Sequence, residues 1–129
     1  MADVWCVDLN ETISAYPDQM RKLMEGLRSG GDEVHVLSGW KAESADADAL
    51  DHKRQQLEEL GCGSGPGADG ASYDRLVVVA DPENHVADQK VAYMRHVGAT
   101  GLIDNNRKNC KKAVKAGFLA LRPQGTPTK

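Results

Sequence analysis

Four polar side chains stand where a phosphate could be bound. Asp8, Ser38 and Asp104 each follow a short apolar run, and Lys90 lies near the start of a predicted helix. A carboxylate can attack a phosphoryl group or bind Mg²⁺, while a lysine and a hydroxyl offset and hold the phosphate oxygens. These residue types, in this order, would suit the binding or transfer of a phosphoryl group.

The elements that must position these residues alternate along the chain. The apolar runs predict strands over 4–7, 33–37, 75–80, 100–103 and 118–121, and helical periodicity predicts helices over 18–27, 44–60, 87–96 and 107–116. Continuously apolar strands between helices indicate a parallel sheet covered on both faces, an α/β fold. Ligands of such sheets bind at the carboxyl ends of the strands, so polar residues at those ends are the candidates for function.

Four motifs occur in a characteristic order. They are Asp8 to Thr12 (DLNET), Ser38 with Gly39, Lys90, and Asp104 with the two asparagines after it. This order resembles that of the haloacid dehalogenase (HAD) superfamily, and the resemblance spans residues 4–122. It implies a three-layer, doubly wound, Rossmann-like core without a cap domain.

The resemblance also implies an activity and its residues. A Mg²⁺-dependent phosphohydrolase would form an aspartyl-phosphate on Asp8 from a phosphomonoester, with Mg²⁺ held by Asp8, Asp104 and the backbone carbonyl of Asn10. Residues of the first three motifs would bind the phosphate: Thr12, Ser38, Gly39 and Lys90.

The first motif departs from the family pattern. Asn10 stands where phosphatases of the family carry an aspartate as general acid and base, and Glu11 replaces a glycine. An amide cannot transfer that proton, and such help typically contributes about 10² to 10⁴-fold in rate. Weakened turnover is therefore expected, and the alternative is a catalytically impaired binding or regulatory protein of the same fold. A receiver-type signalling domain ranks low, because Asp8 has no acidic neighbour.

Each candidate residue also has a structural interpretation. Asp8 and Ser38 are common in turns, Lys90 alone would be a solvated helix lysine, and Asp104 with its asparagines could cap the last helix. Trp40 could line the mouth of the site or simply pack. The combined order of the motifs favours the functional interpretation.

The composition limits the partners and the compartment. The chain has 129 residues and a net charge of -3, with no long block of like charges, so no strong field for nucleic acid or membrane is implied. The basic residues from Arg107 to Lys115 are expected to be a solvated helix face. Three cysteines without a CxxC pair, and no signal peptide or membrane span, predict a protein of a reducing cytoplasm.

The size of the chain predicts one domain, 1–122, followed by a disordered tail, 123–129. A site without a cap suits a phosphate displayed on a macromolecule, with nucleic acid ends as a minor class, or a small substrate covered by an oligomer partner. The short chain would suit a bacterium or a bacterial virus.

Overall fold

A computed structural model describes residues 3–40, 47–63, 72–80 and 85–124. Within them, five strands form one parallel sheet in the order β3-β2-β1-β4-β5. The strands are β1 (Val4–Val7), β2 (Glu33–Trp40), β3 (Arg75–Ala80), β4 (Gly101–Ile103) and β5 (Leu119–Leu121). The predicted α/β class with a parallel, Rossmann-like sheet is confirmed.

Four helices connect the strands and cover both faces of the sheet. They are α1 (Pro17–Ser29), α2 (Ala47–Glu59), α3 (Val86–Val97) and α4 (Arg107–Lys115). Met20 and Met24 of α1 and Leu57 of α2 pack on one face of the sheet, and Met94 of α3 and Ala113 of α4 pack on the other. The result is a three-layer arrangement with an apolar core on each side.

Most of the predicted elements agree with the structure to within a few residues. Gly61 and Gly117 follow α2 and α4 with positive φ angles of 83° and 96°, as expected after helix ends. The predicted start of the second helix at Ser44 and the predicted tail beyond residue 124 lie outside the described residues.

The predicted end of the second strand was wrong. Ser38 and Gly39 do not follow β2 but lie inside it, because the ladder with β3 continues as far as Trp40 and Ala80. The segment after β1, Leu9–Ile13, forms a turn in which Asn10 and Glu11 have non-helical backbone angles and Glu11 has a φ of 63°.

Candidate functional site

A cleft of about 580 Å³ opens at the carboxyl ends of β1 and β2. Its walls come from the turn after β1, the end of β2, α2, and the first turns of α3 and α4. The lining residues are Asp8, Asn10, Glu11, Gly39, Trp40, Lys53, Val86, Ala87, Lys90, Asn106, Lys108 and Asn109. This volume is in the range of small-molecule sites, which commonly enclose about 300 to 1,000 Å³.

Lys90 lies between two carboxylates at the base of this cleft. Its Nζ is 2.7 Å from Asp8 Oδ1 and 2.9 Å from Asp104 Oδ2, and all three side chains are buried or nearly so. Burial alone would lower the pKa of Lys90, but the attraction of the two carboxylates outweighs it and raises that pKa. Burial raises the pKa of Asp8, although the Lys90 charge opposes the rise. The three predicted site residues are therefore brought together as one buried ionic cluster.

Hydrogen bonds from the turn after β1 and from α4 hold both carboxylates in place. The Thr12 hydroxyl donates to Asp8 Oδ2 at 3.1 Å and accepts from the backbone N–H of Asn105 at 2.8 Å. The side-chain amide of Asn109 donates to Asp104 Oδ2 at 2.9 Å. Thr12 thus joins the turns after β1 and β4, and its hydroxyl both donates and accepts within the protein.

Of the other predicted site residues, Asn10 and Gly39 line the cleft, and Ser38 lies below its surface. The side-chain oxygen Oδ1 of Asn10 accepts from the side-chain amide of Gln56 in α2 at 3.1 Å, which ties the turn after β1 to α2. Ser38 is fully buried in β2, below the cleft lining, and its Oγ has no hydrogen-bond partner among the described residues. A Cβ at Gly39 would come within 3.0 Å of Val86, so glycine there lets α3 begin close to β2.

The cap of α4 is formed by Asn106. Its side chain accepts from the backbone N–H of Asn109 at 3.0 Å, while Asp104 Oδ1 accepts from the backbone N–H of Asn106 at 2.8 Å. The segment after β4 therefore caps the last helix, as its structural interpretation predicted, with Asn106 as the capping residue and Asp104 bound to the backbone of Asn106.

Sequence reasoning missed Lys53, which is a second buried lysine of the cleft. Its side chain is only 5% exposed, and its Nζ lies 5.8 Å from the centroid of the Trp40 ring. Burial lowers the pKa of Lys53, nearby Asp8 opposes that change, and Lys90 adds to it. No described carboxylate forms an ion pair with it.

A pattern in the sequence could have revealed both buried lysines. Ala49, Lys53 and Leu57 are four residues apart and all buried, so Lys53 occupies the inward stripe of α2. Lys90 similarly stands between Ala87 and Met94 on the inward face of α3. A lysine within the apolar stripe of a predicted helix is therefore the signal to look for.

No family model matches this sequence, and no curated protein does. Solved structures match its fold. A universal stress protein from Archaeoglobus fulgidus in complex with dAMP has a TM-score of 0.58 at 12% identity, with 96% of this chain and 98% of that one covered. A universal stress protein in complex with cAMP has a TM-score of 0.55 at 12% identity, covering 95% and 97%. An uncharacterized protein from Corynebacterium glutamicum ATCC 13032 Kitasato has a TM-score of 0.59 at 18% identity, covering 97% and 87%.

These matches correct the predicted family and activity. The fold is shared with universal stress proteins and not specifically with the HAD superfamily, and identities of this size establish the fold alone. The prediction of a HAD-like phosphohydrolase acting through an aspartyl-phosphate depended on that superfamily, and it is contradicted as well.

No helix among the described residues is both long and apolar enough to cross a membrane. No group of three or more His, Cys, Asp and Glu side chains in that part of the chain is arranged to hold a metal ion.

Proposed function

We propose that this chain binds a small phosphorylated ligand of the nucleotide class in the cleft at the carboxyl ends of β1 and β2. The observation that carries the proposal is Lys53, a buried ammonium beside the Trp40 ring in that cleft. The ammonium would pair with a phosphate, and the ring would stack on a base. The dAMP and cAMP complexes of proteins with the same fold support this ligand class.

Lys53 is the charge in the cleft that favours an anionic ligand. Lys90 is neutralised by the carboxylates of Asp8 and Asp104, but no described carboxylate forms an ion pair with Lys53. An ammonium that is buried without a close partner loses hydration that a bound phosphate would replace. The exposed Lys108 also lines the cleft, and its charge offsets that of Glu11.

The aromatic end of the cleft favours a base over a bare phosphate. Trp40 is half-buried and packs edge-on against His52, with ring centroids 5.7 Å apart. Contact with His52 restrains the ring, so less conformational entropy would be lost when a base stacks on it. Stacking on an aromatic side chain contributes about 1–3 kcal/mol per base.

Magnesium is part of the proposal as a companion of the ligand phosphate. Mg²⁺ is usually bound through one or two carboxylates together with substrate phosphates and waters. Asp8 lines the cleft and supplies one such carboxylate, while Asp104 is fully buried behind it and pairs with Lys90. Mg²⁺ should then strengthen the binding of AMP and leave the binding of adenosine unchanged.

Isothermal titration calorimetry with AMP, cAMP, adenosine and inorganic phosphate tests the proposal. Lys53→Met should weaken AMP binding about tenfold or more, because a hydrogen bond to a charged group contributes about 1.5–3 kcal/mol. Trp40→Leu should weaken AMP binding but leave inorganic phosphate unaffected. Lys22→Met, on the exposed face of α1, is the matched control and should bind like the unaltered protein.

Three results would contradict the proposal. The first is that none of the four ligands binds with or without Mg²⁺, and the second is that Lys53→Met binds AMP as well as the Lys22→Met control does. The third is release of phosphate from AMP during the titration, measured by chromatography of the recovered ligand, because a binding protein returns its ligand intact.

A further inference from the structure

A second concave surface lies on the opposite side of α4 from the cleft. This α4–β5 groove encloses about 860 Å³ between the outer face of α4 and the residues of β5 and its end. β5 is the last strand of the sheet and pairs with β4 on one side only. The groove shares Lys108 with the cleft, and its other lining residues are separate.

The groove is strongly basic. No Asp or Glu of the described part of the chain lines it. Six cations do: Arg107, Lys108, Lys111, Lys112, Lys115 and Arg122. Lys112 forms an ion pair with Asp88 at 3.2 Å, and the other five form none with a described residue. Arg107 and Lys108 even stand in the first turn of α4, where the helix dipole disfavours cations. The positive charge is therefore concentrated and largely unbalanced.

The floor between these cations is apolar. Val114 and Leu121 line it and are 59% and 45% exposed, and Cys110 and Ala120 lie beside them. Exposed apolar residues that are grouped and rimmed by charge are typical of protein interaction sites. The surface thus combines two chemistries, a positive rim and an apolar floor.

We infer that the α4–β5 groove binds a short segment of a partner protein in which acidic and apolar side chains alternate. The acidic side chains would pair with the lysines of the rim, and the apolar ones would cover Val114 and Leu121. A second copy of this chain fits poorly, since a symmetric contact would bring two sets of cations together. Nucleic acid also fits less well, because the floor is aliphatic and no aromatic ring among the lining residues could stack on a base.

Fluorescence anisotropy with labelled synthetic peptides tests this inference. A peptide of alternating Glu and Leu should bind at least tenfold more tightly than a peptide of alternating Lys and Leu, or of alternating Glu and Ser. Its affinity should fall at higher salt, because the charges of the rim are exposed and screened. The full chain is used throughout.

Charge-reversal and apolar variants locate the binding. The double variant Lys111→Glu with Lys115→Glu should lose at least tenfold in peptide affinity. Val114→Ser should lose about fivefold, because it removes about 1 kcal/mol of apolar contact. Lys22→Glu is the matched control and should keep the affinity, and circular dichroism melting confirms that each variant is folded. AMP binding should be unchanged in all of them, since none of these residues lines the cleft.

Several results would overturn the inference. One is that the Glu and Leu peptide binds no better than the other two. Another is a single-stranded oligonucleotide that binds more tightly than the peptide and is insensitive to Val114→Ser, which would make the groove a nucleic-acid site. A third is a dimer in analytical ultracentrifugation that Leu121→Glu dissociates, which would make a second copy the occupant.

Discussion

The two buried lysines illustrate how differently the same residue type can be stabilised. Lys90 contacts two carboxylates, at 2.7 and 2.9 Å, whereas Lys53 has the face of Trp40 nearby and no described ion pair. A buried charge is costly unless it is paired. Lys90 is therefore expected to contribute to stability. Lys53 forms no ion pair with a described residue, so its ammonium is the one that could pair with an anionic ligand.

Lys90→Met tests the structural part of this difference. Removing the ammonium leaves Asp8 and Asp104 as unpaired buried carboxylates, which should lower the free energy of unfolding by about 3–5 kcal/mol at neutral pH. Urea denaturation measures it, with Lys22→Met as the control. Adding Asp8→Asn to Lys90→Met should recover part of the loss. A change in the single variant no larger than that of the control would show that the cluster does not stabilise the fold.

At the scale of elements, the turn after β1 shapes the site. Leu9, Thr12 and Ile13 are buried, so the turn packs into the core while Asn10 and Glu11 face the cleft. Glu11 has a φ of 63°, which is unfavourable for a residue with a side chain, and its backbone N–H donates to Ser14 Oγ at 2.8 Å. The turn therefore contains local backbone strain at the cleft, of the kind often found at functional sites.

Glu11→Gly should relieve that strain. A left-handed conformation costs a residue with a side chain about 1–2 kcal/mol, and glycine's greater freedom in the unfolded chain offsets part of the gain. The free energy of unfolding should rise by about 0.5–1 kcal/mol, measured by urea denaturation. Gln55→Gly, on the exposed face of α2, should lower it by about 1 kcal/mol. A loss of stability on Glu11→Gly would mean that the Glu11 side chain outweighs the strain.

At the scale of the whole molecule, Asp74 links three elements. Its Oδ1 accepts from Arg28 at the end of α1, at 2.9 and 3.1 Å, and its Oδ2 accepts from the backbone N–H of Val34 in β2 at 2.8 Å. Asp74 itself immediately precedes β3. Burial would raise the pKa of this carboxyl, but the hydrogen bonds from Arg28 and Val34, with the Arg28 charge, outweigh burial and lower it.

Because the pKa of Asp74 is lowered, the effect of Asp74→Asn on stability should depend on pH. A lowered pKa in the folded state means that the stabilisation is present above the ordinary value of about 4 and is lost as the pH falls through the folded-state value. The substitution should cost about 1–3 kcal/mol at neutral pH, and the difference from the unaltered protein should shrink at pH 3. Thermal unfolding followed across this range measures it, and Asp18→Asn, exposed on α1, is the control. A difference that is the same at both pH values would contradict the link.

The element order and the edge of the sheet that carries the cleft were determined by the sequence. Apolar runs and helical stripes are local patterns, so they place β1, β3 and α3 within a residue or two. The end of a parallel strand is also local, which is why Asp8 was assigned to the site. This placement is common to parallel α/β proteins that bind different ligands, so the order of Asp8, Ser38, Lys90 and Asp104 does not by itself determine a family or an activity.

Tertiary structure decided which side chains meet and how deeply they lie. Lys90 joins Asp8 and Asp104 only because β1 and β4 are neighbours in the sheet and α3 packs across them. Ser38 is buried because β2 continues its pairing with β3 past it, and Lys53 reaches the cleft because α2 turns that face inward. The apolar stripes of the helices indicate that Lys53 and Lys90 face inward, but the side chains that they meet depend on pairing and packing between segments far apart in the chain.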